Sequence, residues 1–262
     1  MKQRIFIKIG GSYITDKTTS DSLKENRIKQ IARVIADICK GDQYEMIISH
    51  GAGAYGHIRA QQYNAQLGIN PEYSWKAFYQ IRMDMTSMNL RFVALAAEQG
   101  LKLVTVQPSA IIRASHGEIT SIYLDTITLL LRYGQIPIVY GDIVIDDIQG
   151  FTIASTENIL AAIVKVIKMD RVIMISDVPG VLDENGNVIE RIDASNFAAV
   201  QRYLGGARGS DVTGGMKEKI HGLYSLIRNG MVHQAHILSC NFSESELVAA
   251  ISGRQAPGTV IY

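Results

Sequence analysis

The chain has 262 residues, 47% hydrophobic and 19% charged, so its folded form is expected to bury about 70–75% of the surface that the unfolded chain exposes. Lys and Arg number 26 against 25 Asp and Glu, and the formal charge of +1 excludes a general electrostatic attraction to nucleic acid or membrane surfaces. No apolar run approaches the roughly 18 residues of a bilayer-spanning helix. We therefore expect no membrane insertion. Cys39 and Cys240 lack metal-ligand spacing, so we also expect no disulfide framework and no protein-held metal, and a cytoplasmic location.

Short β-branched runs alternate along the chain with longer segments of helical period, which predicts an α/β fold with a mostly parallel sheet covered on both faces. The predicted strands are 4–9, 45–49, 103–106, 136–140, 172–176 and 235–239, with a hairpin over 142–153. The predicted helices are 24–40, 74–99, 121–133, 156–168, 195–203, 215–229 and 243–252. We expect one domain over 1–262, with an amino-terminal lobe to about residue 165 and a carboxyl-terminal lobe from about 166.

The first predicted strand contains a lysine, Lys8, and runs into Gly10, Gly11 and Ser12. An ammonium group among apolar neighbours needs negative charge nearby, and glycines allow backbone N–H groups to approach an anion. This pattern indicates a phosphate site at the carboxyl end of the strand. A tight strand-to-helix turn beside a lysine that extends to solvent is the alternative.

The second predicted strand ends in another turn of small residues, which includes Ala52, Gly53 and Gly56 and is followed by His57. Small residues between a strand and a helix expose amides beside the positive end of the helix dipole, and His57 can donate to a phosphate oxygen. A close-packed crossover is the alternative. The glycine spacing, with no acidic residue about 20 residues later, does not fit a dinucleotide-binding fingerprint.

Two later segments also point to a nucleotide. Lys217 and Lys219 open the predicted helix 215–229, where cations oppose the helix dipole unless an anion binds, although a solvated charged face is the alternative. Asp177 follows the strand 172–176 and is a candidate for holding a nucleotide or its metal, or it belongs to a simple β-turn around Pro179.

The order of these motifs resembles the amino-acid kinase family. The stretches that carry the resemblance are Lys8 to Ser12, the Gly-Ala-Gly turn at 51–53, Gly141-Asp142, Asp177 to Gly180, and Asp211 to Met216. Within that family the chain is most similar to the isopentenyl phosphate kinases, through Ser12 to Lys17, His57, Gln107 to Ala110, and Asp211 to Met216. The resemblance implies a three-layer αβα sandwich, Mg²⁺ and ATP in the carboxyl-terminal lobe, a phosphate acceptor in the amino-terminal lobe, and a homodimer.

The resemblance also implies roles for individual residues. It assigns Lys8, Lys17, His57, Glu157 and Lys219 to catalysis, with Lys8 and Lys219 at the transferring phosphoryl group. The nucleotide would be bound by Lys8, Gly10, Gly11, Ser12, Gly53, Asp177, Gly215 and Lys219. The acceptor phosphate would be bound by Ala52, Gly53, Gly56, His57 and Thr156.

Three residues depart from the family pattern. Thr156 and Glu157 stand where related kinases usually have glycine and aspartate, and Pro179 replaces a common aspartate. The resemblance implies that Thr156 leaves less room for the acceptor phosphate, and that Glu157, a longer carboxylate, is expected to reach the two catalytic lysines.

The implied reaction is ATP-dependent phosphorylation of isopentenyl phosphate to isopentenyl diphosphate. A phosphate monoester is already substantially ionised near neutral pH, so the reaction needs cations and oriented amides and no general base. An isoprenyl tail needs an apolar pocket, and Tyr79 and Met83, one turn apart in the helix 74–99, are the predicted lining residues.

Two alternatives remain open on the sequence alone. One is a kinase of the same fold that acts on another small acceptor, such as fosfomycin, whose kinases resemble the chain around His57. The other is a non-catalytic nucleotide-binding regulator, which is suggested by the departures at Thr156, Glu157 and Pro179.

Overall fold

The computed structural model describes residues 2–16, 22–65, 68–69, 74–205 and 215–262. Its strands are β1 (Gln3–Ile9), β2 (Tyr44–His50), β3 (Leu103–Thr105), β4 (Ile112–Ser115), β5 (Glu118–Ile122), β6 (Ile136–Tyr140), β7 (Asp142–Asp146), β8 (Gly150–Ala154), β9 (Met169–Ile175), β10 (Arg191–Ile192), β11 (Val232–Leu238) and β12 (Gly258–Ile261). Its helices are α1 (Gly11–Ile14), α2 (Glu25–Ile38), α3 (Gly53–Gln62), α4 (Ser74–Ala97), α5 (Pro108–Ile111), α6 (Asp125–Arg132), α7 (Thr156–Val164), α8 (Phe197–Gly205), α9 (Gly215–Arg228) and α10 (Glu244–Ile251).

The main sheet has eight strands in the order β10-β12-β11-β9-β1-β2-β6-β3. Neighbouring strands are parallel except for the antiparallel pair β11 and β12. Strand β1 lies in the middle of the sheet. The chain first adds β2, β3 and β6 on one side of β1 and then adds β9 and the later strands on the other side, so the order of strand addition reverses at β1. Ligands of open α/β sheets bind in the crevice outside the carboxyl ends of strands at such a point.

Helices and a second sheet cover the two faces of the main sheet. Alternate residues of β1 face opposite sides, so Ile5, Ile7 and Ile9 belong to one core cluster and Phe6 belongs to the other. The first cluster includes buried residues of α2, α4 and α10, and the second includes residues of α6, α7 and α9. Lys8 shares the face of Phe6, which directs its side chain towards α7.

The smaller sheet has four strands in the order β5-β4-β7-β8 and lies beyond the end of β6. Its β7 and β8 form the predicted hairpin. None of the helices in the described ranges combines the length and apolar character needed to cross a membrane. The fold is thus the predicted α/β architecture with a mostly parallel central sheet.

The structure confirms each predicted strand to within a few residues and corrects one predicted helix. Residues 118–122 form strand β5, and α6 begins only at Asp125, so the prediction of a helix over 121–133 was wrong at its start. His116 and Gly117 have φ values of 52° and 83°, which fit a two-residue hairpin turn between β4 and β5. Of the two residues, only glycine favours that backbone conformation, so the turn signal in the sequence is weak.

Candidate active site

A cavity of about 540 Å³ lies at the carboxyl ends of β1, β2 and β9. It brings together many of the residues predicted from sequence and adds others from α4 and the second sheet. The predicted residues in its lining are Lys8, Gly10, Gly11, Ser12, Ala52, Gly53, Gly56, Thr156, Glu157 and Lys219. Further lining residues are Thr15, Ile58, Ile81, Met85, Asp142, Ile153 and Ser176.

Two lysines meet on one carboxylate at the wall of this cavity. The Lys8 ammonium donates to Glu157 Oε1 at 2.6 Å, and the Lys219 ammonium lies 3.9 Å from the same oxygen. The Lys8 side chain is only 7% exposed, so a buried cation has the counter-charge that it requires. Burial raises the pKa of the Glu157 carboxyl, but the charges of Lys8 and Lys219 outweigh burial and leave the pKa below its usual value.

Local structure explains why Glu157 occupies that place. It lies in the first turn of α7, where the helix dipole favours negative charge. Ser155 caps this helix by accepting a hydrogen bond from the Asn158 amide at 3.1 Å. The neighbouring Thr156 is buried and donates to the His50 carbonyl oxygen at 3.2 Å, so its side chain ties α7 to the end of β2.

The two glycine turns pack directly against each other. A Cβ on Gly11 would lie 2.0 Å from the Gly53 amide nitrogen, and a Cβ on Gly51 would lie 2.8 Å from the Gly11 nitrogen. Gly53 has a φ of 51°, which disfavours a larger residue. The packing brings the first amides of α3, which have no acceptor within their own helix, beside the turn that follows β1. The two interpretations of these turns, a close-packed crossover and a set of backbone amides that binds an anion, are therefore compatible with each other.

Several predicted site residues are not among the lining residues. Lys17 lies outside the described residues, as does the stretch 211–214, and His57 lies on α3 with its side chain outside the described set. Gly215 begins α9, one helical turn before Lys219. Asp177 follows β9 and lies 4.0 Å from the Arg27 guanidinium of α2.

The structure places Tyr79 and Met83 on the opposite side of α4 from the cavity. Their exposed fractions are 62% and 69%, and neither contributes to the cavity lining. Ile81 and Met85, which are buried, line it instead. An apolar pair one helical turn apart does line the cavity, but it is Ile81 and Met85, two positions further along α4 than Tyr79 and Met83.

Sequence reasoning gave no role to Ser176 and Asp142, which are among the polar residues that line the cavity. Ser176, at the end of β9, is buried, and its hydroxyl has no hydrogen-bond partner among the described residues. Asp142 is 2% exposed and accepts hydrogen bonds from the Ser109 amide at 3.1 Å and the Ile143 amide at 2.9 Å. Burial raises the pKa of the Asp142 carboxyl to about 6. The sequence signal for Asp142 was its place in the Gly-Asp motif, whereas Ser176 had none.

A buried histidine supports the second glycine turn from behind. The His50 ring nitrogens lie 3.2 Å from the Gly51 carbonyl oxygen and 3.2 Å from Asn89 Oδ1. The ring stacks against Phe92 and Tyr140, with centroid separations of 5.1 and 5.5 Å. Burial lowers the pKa of His50 to about 4, although the two oxygens act in the opposite direction.

We expect His50 to contribute to acid denaturation. Its pKa rises from about 4 in the folded chain to about 6.5 on unfolding, so its stabilising contribution is complete above pH 6.5 and is lost as the pH falls towards 4. The loss is about 3 kcal/mol at 1.36 kcal/mol per pKa unit. His50→Gln is therefore expected to show a smaller fall in unfolding free energy than the wild type between pH 7 and pH 4, measured by urea titration.

The comparison isolates His50 because Asp142 is present in both proteins. The raised pKa of Asp142 makes stability fall as the pH rises from about 4 to about 6, and this term cancels between wild type and variant. His221→Gln, at an exposed position on α9, is the matched control and should keep the shape of the wild-type curve. Parallel curves for wild type and His50→Gln would contradict the prediction.

Comparison with known proteins identifies the family. The amino acid kinase family model matches residues 3–239. The chain therefore belongs to the amino acid kinase family, as the paired lysines and the glycine turns at the end of a parallel sheet suggested.

Its curated relatives include isopentenyl phosphate kinases. The enzyme of Methanocaldococcus jannaschii is 32% identical over 224 residues, which cover 82% of this chain and 84% of that protein. The enzyme of Haloferax volcanii is 31% identical over 258 residues, which cover 98% of each. A solved structure of isopentenyl phosphate kinase is 26% identical, with a TM-score of 0.82 over 99% of this chain and 100% of that one.

Proposed function

We propose that this protein transfers the γ-phosphoryl group of ATP to the phosphate of isopentenyl phosphate, forming isopentenyl diphosphate. The observation that carries the proposal is the meeting of Lys8 and Lys219 on one oxygen of Glu157 at the wall of the cavity. Relatives named isopentenyl phosphate kinase align over most or all of the chain and support the choice of acceptor.

We propose that the turn after β1 and the two lysines bind the transferring phosphoryl group. Its oxygens would lie against Gly10, Gly11 and Ser12, with the ammonium groups of Lys8 and Lys219 beside them. Opposite unit charges about 4 Å apart attract by roughly 4 kcal/mol at an effective dielectric near 20, so two cations offset much of the repulsion between the two phosphates. Glu157 holds both ammonium groups in place until the anion binds. We assign Lys17 to the same charge cluster.

We propose that the turn after β2 binds the acceptor phosphate. Ala52, Gly53 and Gly56 line the cavity there, and His57 follows on α3. Thr156 borders the same region from α7. The acceptor oxygen that attacks is already ionised, so His57 serves to align the phosphate and is not needed as a base.

The apolar end of the cavity suits a short hydrocarbon tail. Ile81 and Met85 of α4 line it together with Ile58 of α3 and Ile153 of β8. Apolar walls of this kind favour an isoprenyl group, and the flexible thioether of Met85 adapts to its shape. An amino-acid acceptor would instead need fixed charge partners for its α-carboxylate and amine.

The residues around Ser176 fit ATP and its Mg²⁺. The buried Ser176 hydroxyl is available to a phosphate oxygen, and we assign Gly53, Asp177, Gly215 and Lys219 to the nucleotide as well. Among the described side chains, no group of three or more His, Cys, Asp or Glu residues is placed to hold a metal ion. Mg²⁺ often binds through one or two carboxylates and substrate phosphates, and Asp177 is the candidate carboxylate here. When bound, the nucleotide supplies the phosphoryl group and Mg²⁺ neutralises part of its charge.

An assay of ADP release across a panel of acceptors tests the proposed function. We expect turnover with isopentenyl phosphate and less with longer isoprenyl monophosphates, with dimethylallyl phosphate, fosfomycin and carbamate as comparison acceptors. Transfer to fosfomycin without transfer to isopentenyl phosphate would favour the second candidate, the kinase of another acceptor. ATP binding without turnover on any acceptor would indicate a regulator.

Replacing His57 by alanine is expected to weaken acceptor binding more than it slows transfer. A hydrogen bond to a charged phosphate contributes roughly 1.5–3 kcal/mol, so KM for isopentenyl phosphate should rise about 10- to 100-fold while kcat falls less. Steady-state kinetics at saturating ATP measure both constants, and the exposed His233→Ala variant is the control. An unchanged KM for the acceptor would remove His57 from this role.

Three further assignments are predictions of the same proposal. The division into an acceptor-binding lobe to about residue 165 and a nucleotide-binding lobe after it assigns β1 and β2 to one lobe and β9 to the other. A homodimer is expected from the family, and light scattering of the purified protein tests it. A cytoplasmic location agrees with the free thiols of Cys39 and Cys240.

A further inference from the structure

A buried threonine hydroxyl joins the two glycine turns. Thr15 is 0% exposed and lines the cavity at the end of α1. Its Oγ1 donates to the Gly11 carbonyl oxygen at 2.9 Å and accepts a hydrogen bond from the Ala54 amide at 3.1 Å. Gly11 lies directly after β1, and Ala54 lies in the first turn of α3, after β2, so one hydroxyl links two separate segments.

The link to Ala54 replaces a missing helix cap. The N-cap residue of α3 is Ala52, whose side chain has no oxygen to accept a hydrogen bond from the first turn. Ala54 is the second residue of α3, and its amide has no acceptor inside the helix. Thr15 supplies that acceptor from a different element, and it therefore fixes the start of α3 relative to the turn after β1.

The surrounding packing leaves the hydroxyl little freedom. A Cβ on Gly53 would lie 2.2 Å from Thr15 Oγ1 and 2.8 Å from the Gly11 carbonyl oxygen. The backbone of Thr15 is also held, because its amide donates to the Gly11 carbonyl at 2.9 Å and it forms a β-bridge with Leu23. Because the Thr15 side chain is held on all sides, a shift of the turn after β1 would also shift the start of α3.

From this geometry we infer that Thr15 is a positioning residue that sets the distance between the phosphoryl-binding turn and the acceptor-binding turn. The inference rests on the proposed function, which assigns Gly11 to the transferring phosphoryl group and the start of α3 to the acceptor phosphate. Transfer in line requires the two phosphates to meet at a fixed separation, and a misplacement of about 1 Å can lower the rate about 10²-fold. Thr15 touches neither reacting atom and acts through Gly11 and Ala54.

The test compares Thr15→Val with Thr15→Ser. Valine keeps the shape and removes the hydroxyl, so the Ala54 amide loses its acceptor, whereas serine keeps the hydroxyl. We expect Thr15→Val to lower kcat about 10- to 100-fold while KM for ATP and for isopentenyl phosphate changes less than about 3-fold. Thr15→Ser should stay within about 3-fold of wild type. Thr259→Val is the control, because Thr259 is also fully buried and accepts from the Val181 amide at 2.8 Å outside this cavity.

Hydrogen exchange at the Ala54 amide, followed by NMR, provides a readout that does not depend on turnover. We expect faster exchange in Thr15→Val and wild-type exchange in Thr15→Ser. Unchanged exchange in Thr15→Val, or a kcat equal to that of wild type, would overturn the inference while leaving the proposed function intact. A drop in kcat of the same size in Thr259→Val would also overturn it, since the effect would then follow from lost stability. Wild-type inactivity on every acceptor would reject the proposed function and the role in transfer, and the exchange data would still test the link itself.

Discussion

Replacing Lys8 by alanine is expected to lower kcat about 10³-fold. The substitution removes a buried cation from the wall of the cavity, and among the described residues it leaves Glu157 with Lys219, at 3.9 Å, as its lysine partner. Removal of one group that stabilises transition-state charge typically lowers kcat by about 10² to 10³, and here the lost group carries a full charge. Steady-state turnover of isopentenyl phosphate at saturating ATP measures the effect.

Controls separate the catalytic effect from a folding defect. The thermal midpoint of Lys8→Ala should be determined in parallel, because a carboxylate near the truncated side chain loses its counter-charge. Lys29→Ala is the matched lysine variant, since Lys29 of α2 pairs with Glu98 at 2.8 Å and does not line the cavity. A folded Lys8→Ala enzyme with kcat within about 5-fold of wild type would refute the assigned role.

Replacing Glu157 by glutamine is expected to lower kcat about 10²-fold with little increase in KM for ATP. Glutamine keeps the size of the side chain but removes the negative charge that holds the Lys8 and Lys219 ammonium groups together. The two cations then repel each other, and their positions become less suited to transfer, while the added positive charge favours ATP binding. Initial rates over a grid of ATP and acceptor concentrations separate kcat from the two KM values.

Two companion variants make this prediction sharper. Glu157→Asp keeps the negative charge on a shorter side chain and is expected to keep kcat within about 10-fold of wild type. In the double variant Lys8→Ala with Glu157→Gln, the loss of Glu157 should slow turnover less than it does in the wild type, because only Lys219 is then left for Glu157 to position. Full additivity of the two effects would mean that Glu157 contributes independently of Lys8.

The strand and turn that form the start of the cavity were predictable because their signals are local. Lys8 interrupts an apolar strand and is followed at once by Gly10 and Gly11, so the position of the site follows from one short stretch. The meeting of Lys8 with Glu157 was given by resemblance alone. These residues are 149 positions apart, and no pattern within the chain relates them.

The apolar lining proposed for the hydrocarbon tail could not be assigned to particular residues from the sequence. Tyr79 and Met83 are four residues apart on α4, and so are Ile81 and Met85. Both pairs are apolar stripes of helical spacing, and the helix is apolar on more than one side, so the period alone does not decide which stripe faces the cavity. Packing against α3 and the second sheet makes that choice.

The hydroxyl groups of Thr15 and Ser176 could not be assigned a role from the sequence, because their surroundings are also set by the tertiary structure. Thr15 and Ser176 are ordinary residues in their own segments, and their importance comes from contacts with partners elsewhere in the fold or from the lack of one. The hairpin turn at His116 and Gly117 was missed because its backbone conformation, rather than its residue types, defines it.

Because β1 lies in the middle of the main sheet, one of its two edges stays unpaired until late in the synthesis of the chain. Strand β1 is synthesised first, yet one of its two neighbours is β9, which pairs Ile5 with Arg171 and Ile9 with Ile175. Until β9 has left the ribosome, β1 has an open edge of unpaired amides and carbonyls, which invites pairing with other chains. A chain shortened before residue 169 would keep that edge permanently, so we expect such fragments to aggregate or to depend on chaperones.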